Sequence, residues 1–105
     1  QIQQEYYQNR NRKKFIHLSG STSEEIVISF DKKTARYIME YEADLADEII
    51  ETDNGITFIR NTAVTDEIVR WIMQFGSGAK VLKPSHLKDK IKKELENSLR
   101  NYEEI

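Results

Sequence analysis

The stretch DEIIETDNGITFIRN, residues 47–61, constrains the fold more than any other part of the chain. Asn54-Gly55 accepts the positive φ angles of a two-residue type I′ turn, and it stands between two runs that alternate like strands. A β-hairpin is therefore expected here. With that turn Ile50 pairs with Ile59 on one face, while Ile49, Ile56 and Phe58 share the other. Both faces then carry apolar side chains, so neither is suited to open water.

The flanking segments supply the remaining elements. In EEIVISFD, Ile26, Ile28 and Phe30 point one way and Val27 and Ser29 the other, the period of a strand. Asp31 is placed to cap the helix that follows, whose stripe reads Ala35, Ile38, Met39 and Tyr41. After the hairpin, Thr65 caps a second helix, and Asp66 and Glu67 complement the positive end of its dipole. Ile68, Trp71, Ile72 and Phe75 fall at i, i+3, i+4 and i+7, one buried face. AKVLK is a short strand ended by Pro84, and Ser85 opens a last helix to Tyr102 with a stripe of Leu87, Ile91, Leu95 and Leu99. The order β-α-β-β-α-β plus a C-terminal helix predicts an α+β fold, a ferredoxin-like sandwich with four antiparallel strands and two helices on one face.

Residues 1–23 differ from the rest. They are polar, Gln/Asn-rich and basic, with Arg10, Arg12, Lys13 and Lys14 against Glu5, and read as a linker from a preceding domain; residues 24–105 form the folded unit. A first residue of Gln fits a segment taken from a longer protein. From Ser21 to Leu82 acids outnumber bases two to one, which argues against tight binding of this body to a nucleic-acid backbone. The 105 residues contain no cysteine, which excludes disulfides, thiol catalysis and cysteine-held metals and fits a cytoplasmic setting. No apolar run approaches the roughly 20 residues of a membrane span.

The candidate chemical motifs are weak. Gly76-Ser77-Gly78 follows a helix and precedes a strand, the reverse of a phosphate loop, and is expected to be a C-cap and turn. His17 and His86 have no neighbours at ligand spacing. The acids Glu40, Glu42, Asp44, Asp47, Glu48 and Glu51 lack the pattern of a calcium loop and read as a solvated face. No nucleophile–base pair stands out, so no enzyme and no cofactor are expected. Tyr6 and Tyr7 beside Arg10, Arg12, Lys13 and Lys14 combine stacking rings with cations, the make-up of a single-stranded nucleic-acid or effector contact.

The informative feature is surplus apolar surface. Two helices cover one sheet face only; the other would show Val27, Ile50, Ile59 and one of Val81 or Leu82, and the last helix has Leu95 and Leu99 to bury as well. Either these surfaces bury each other or they meet a second subunit or a neighbouring domain. Val27, Ile50, Ile59, Leu95 and Leu99 are the candidate interface.

A helix ending in WIMQFG and followed by AKVLKPSHLKDKIKKELENSLRNY resembles the C-terminal extension, or WCX domain, of bacterial WYL-domain transcriptional regulators. Trp71, Phe75, Gly76, Val81, Leu82, Pro84 and Leu87 carry the likeness. IVISFDKKTARYIME is similar to the family's first strand and helix, and ETDNGITFIRNTAVTDEIVRW to its hairpin and second helix, so the likeness runs from Glu24 to Tyr102. Arg60 departs from it, standing where the family usually has an apolar residue. The resemblance implies a regulatory and oligomerisation module that packs against a WYL domain or a second copy and helps to sense an effector, with nucleic acid one candidate. DNA would be read by a winged helix elsewhere in the parent. The alternatives are a stand-alone ferredoxin-like domain for a small molecule, and a single-stranded nucleic-acid module using the basic segment.

Overall fold

The computed structural model describes residues 23–103. It is an α+β domain with one four-stranded antiparallel sheet and three α-helices. Strand β1 is Glu24–Asp31. Helix α1, Lys32–Tyr37, widens into a π-helical turn at Ile38–Glu42 and tightens to a 3₁₀ turn at Ala43–Leu45. Strands β2 (Glu48–Thr52) and β3 (Gly55–Thr62) form the hairpin. Helix α2 is Asp66–Met73, a 3₁₀ turn spans Gly76–Gly78, β4 is Ala79–Lys83 and helix α3 is Ser85–Glu103. The strands lie in the order β2-β3-β1-β4, so β1 and β3 are central and β2 and β4 are edges.

One sheet face makes the core. Ile26, Ile28 and Phe30 of β1 join Ile56 and Phe58 of β3 and Val81 of β4, beneath Ala35 and Ile38 of α1 and Ile68, Val69 and Ile72 of α2. Alternation along β1 is as the period predicts: each even-numbered residue from Ile26 to Phe30 is buried and the residues between them are half-buried. The caps also form as expected. Asp31 accepts from the Thr34 N–H at 2.9 Å, and Thr65 accepts from the Ile68 N–H at 3.3 Å.

The hairpin forms, but in a different register. Ile50 lies opposite Thr57 and Glu48 opposite Ile59, so the Ile50–Ile59 pair is corrected by two residues. Thr52 pairs with Gly55, leaving Asp53 and Asn54 as the loop. No described residue other than glycine has positive φ, so the turn is not type I′. Gly55 is needed for another reason. It has φ of 148°, and a Cβ there would collide with the Phe30 carbonyl of β1. Because the slip is an even number, every side chain keeps its expected face.

Two stripes need correction. Met39 and Tyr41 are exposed, since the π-helical turn changes the angle per residue and carries them out of line with Ala35 and Ile38; Leu45 reaches the core from the 3₁₀ turn instead. On α2, Val69 is buried while Trp71, and Phe75 just past the helix end, are half-buried. Val69 faces α3, which lies against α2 and β4 rather than across the open sheet face. Its Leu87 is wholly buried in the common core and Ile91 is half-buried, but Leu95 and Leu99 are exposed.

Candidate docking surfaces and surface clusters

The Gly76-Ser77-Gly78 turn is structural. Gly76 adopts φ of 57°, the left-handed position that ends a helix, with open space around it. Gly78 is buried, and a side chain there would strike Thr34 of α1. The turn therefore seats the α2–β4 connection against the start of α1. A depression of about 510 Å³ lies beside it, bounded by Asp31, Thr34, Tyr37, Gln74, Phe75 and Ser77. Its lining combines the Tyr37 and Phe75 rings with polar side chains, a composition suited to a small polar molecule.

Those two rings belong to a larger aromatic cluster. Phe30 meets Phe58, Trp71 and Phe75 edge-on at centroid distances of 5.6, 6.0 and 5.4 Å. Phe75 continues to Tyr37 at 5.9 Å, and Tyr37 to Tyr41 at 5.0 Å, so the rings run from core to surface. Glu42 ties the cluster down: its carboxylate accepts from Trp71 Nε1 at 2.6 Å and from the Tyr37 hydroxyl at 3.4 Å. The Tyr37 phenol is held above its ordinary pKa, first by desolvation and then by the Glu42 charge. The local sequence pattern alone puts Glu42 on a solvated acidic face. Nothing in its local spacing points to Trp71, 29 positions away. Trp71→Phe keeps an aromatic ring in the cluster but loses the hydrogen bond and part of the indole's packing; it should lower stability by more than about 1 kcal/mol, read from a thermal melt.

Two more of those acids are not solvated. Asp47 is fully buried and Glu48 nearly so. Asp47 Oδ2 accepts from the Asn61 N–H at 2.6 Å, and its own N–H donates to the Ile59 carbonyl at 2.8 Å, which locks the start of β2 onto the end of β3. Glu40, Asp44 and Glu51 are exposed as expected. Among the described residues no three metal-ligating side chains converge. His86 pairs with Glu24 (Nε2 to the two carboxylate oxygens, 2.7 and 2.9 Å) and so ties the first turn of α3 to the start of β1. Asp31 is held below the ordinary carboxylate pKa, first by the backbone hydrogen bond from Thr34. A depressed folded value means its capping contribution is full above the unfolded value of 3.8 and is lost as pH falls through the folded one. The thermal-stability advantage of the wild type over Asp31→Asn at pH 7 should therefore shrink in melts run below that value.

The interface candidates fall into different settings. Val27 is half-buried, Ile50 is 42 % exposed at the edge strand, and Ile59 is buried. Leu95 and Leu99 are exposed on α3. A bulge sets Lys83 opposite Val27 and Val81 opposite Ile28, so Val81 enters the core and Leu82 is left exposed. The open sheet face and the outer half of α3 are thus not each other's cover. Arg10, Arg12, Lys13 and Lys14, with His17, lie outside the described residues. Arg60 is half-buried beside Trp71 and Ile68, opposite Ile26 at the end of the core face. No helix among the described residues is long and apolar enough to cross a membrane.

What these features define is a small α+β domain with helices on a single side of its sheet and apolar groups left at a strand edge and a helix end. The family model described as the WCX domain matches residues 22–99, and the chain belongs to that family. No curated protein matches it.

Proposed function

We propose that this domain is the C-terminal regulatory module of a bacterial WYL-type transcriptional regulator, that it docks onto the WYL domain or a second subunit, and that it helps effector sensing. The observation that carries the reading is the WCX match across nearly all of the folded unit. The exposure of Ile50, Leu82, Leu95 and Leu99 supports an assembly role. In this reading the domain does no catalysis and takes no cofactor, acts in the cytoplasm, and leaves DNA recognition to a winged helix in the parent. The fold is read as ferredoxin-like; the order β2-β3-β1-β4, built from successive β-α-β and β-α-β units, favours it.

The test is deletion of residues 24–103 from the parent regulator. Operator binding in vitro should persist while the response to effector is lost. A truncated regulator that still responds normally would remove the regulatory role.

A second reading, a small-molecule module, is favoured by the depression between Tyr37, Phe75 and Ser77. It requires that some metabolite raise the melting temperature in a saturable way and that Phe75→Ala abolish the rise.

A further inference from the structure

The sheet face without a helix is not evenly bare. Strand register divides it into rows. Asn61 lies opposite Glu25; the next row is Glu48, Ile59 and Val27; then come Ile50, Thr57 and Ser29, and last Thr52, Gly55 and Asp31. Burial falls along these rows. Asn61, Glu48 and Ile59 are 5 %, 7 % and 9 % exposed, whereas Ile50 is 42 % exposed and Thr52 and Asp31 are open to solvent. The buried rows lie at the end where β1 begins. Glu48 is the sharpest case. It sits on the edge strand β2, on a face that no described helix covers, where a carboxylate ordinarily stands in water.

Glu25, Asp47 and Glu48 are all engaged rather than free. Carboxylates buried in this way are stable only against cations and hydrogen-bond donors. The Asn61 side chain is buried in the same corner, and its Nδ2 has no hydrogen-bond partner among the described residues. A cover for this corner must therefore bring positive charge, apolar area and a hydrogen-bond acceptor.

Residues 10–18 have that make-up. Arg10, Arg12, Lys13 and Lys14 come without an acid among them, and Phe15, Ile16 and Leu18 follow directly. Residues 19–23, which include Gly20 and three serines, join Leu18 to the start of β1 and are turn formers. Five residues reach about 17 Å, enough to reverse the chain across the roughly 10 Å between packed layers. The segment thus enters the fold at the buried end of the face and complements it in charge and polarity.

We propose that residues 12–18 fold back over this corner of the open face, with their apolar side chains against Val27 and Ile59 and their lysines beside Glu25 and Glu48. The inference is independent of the docking reading, since Ile50, Leu82, Leu95 and Leu99 stay exposed for a partner. It gives the basic segment an acidic partner within its own chain in place of a nucleic acid.

The test uses the whole chain, which has no cysteine of its own. A paramagnetic label on Ile50→Cys stands on the open face, and one on Tyr41→Cys stands on the helical side. Amide resonances of residues 13–18 should broaden strongly with the first label and weakly with the second. Phe15→Asp and Ile16→Asp together should lower the melting temperature by at least about 4 °C. Lys13→Glu with Lys14→Glu should also lower it, and adding Glu48→Lys should recover part of the loss. Equal broadening from both labels, or a melting temperature indifferent to the changes at Phe15 and Ile16, overturns the proposal. Binding of a single-stranded oligonucleotide at low salt overturns it too, if the lysine changes abolish that binding and leave the melting temperature unmoved. None of these outcomes touches the parent's effector response, so failure here leaves the docking reading standing.

Discussion

Phe58→Ala should lower stability by about 4 kcal/mol, the range for emptying a buried aromatic site, which for a domain this size is roughly 20 °C in melting temperature. Phe58 has no exposed surface and sits on the central strand β3. It contacts Phe30 edge-on at 5.6 Å and Trp71 at 5.4 Å, so its loss opens a cavity between the sheet and α2. Neither neighbour is free to collapse into the gap: Phe30 is fixed in the adjacent strand, and Trp71 is held by Glu42. Against a total of about 5–15 kcal/mol, such a change leaves little of the folded state. Thermal denaturation followed by far-ultraviolet circular dichroism checks it, and a loss under about 1 kcal/mol would mean the aromatic cluster is not the centre of the core.

Gly55→Ala should cost about 3 kcal/mol, more than Gly76→Ala at about 1 kcal/mol, although both glycines have positive φ. The difference lies in their surroundings. At Gly76 a methyl group points into open space, so only backbone strain is added. At Gly55 it would run into the Phe30 carbonyl and the adjoining Asp31 backbone, which cannot rotate aside as a side chain can. Relief requires β1 and β3 to part at the Asp31–Gly55 pair, next to the cap of α1. Chemical denaturation of the two variants side by side measures the gap. Equal losses would show that the close approach of β1 to the hairpin is not real.

The contrast between these glycines also shows what was legible in the sequence. Asn54-Gly55 gave the hairpin its place, and alternation gave each hydrophobic side chain its face. The register was misread because the dipeptide satisfies a turn rule locally, whereas Gly55 answers to β1, a strand 24 or more positions earlier. Ala35 and Ile38 follow the helical period and Met39 and Tyr41 do not, because widening at Ile38–Glu42 changes the angle per residue within one helix. The same holds for the acids. Glu40 and Glu51 behave as exposed charge, while Glu42 and Asp47 serve Trp71 and the Asn61 backbone, partners distant in sequence. On the last helix the whole apolar stripe is visible in the sequence, but periodicity says only that four residues line up. It does not say that Leu87 reaches the interior while Leu95 and Leu99 run past the edge of the body.

Because α3 is one unbroken helix, its two ends report on different events. Amide hydrogens in the turn after Leu87, whose side chain is wholly buried, should exchange more slowly than those around Leu99, where a few exposed turns can fray on their own. Protection at the far end thus reads whether anything has gripped that arm, with the root as an internal standard in the same spectrum.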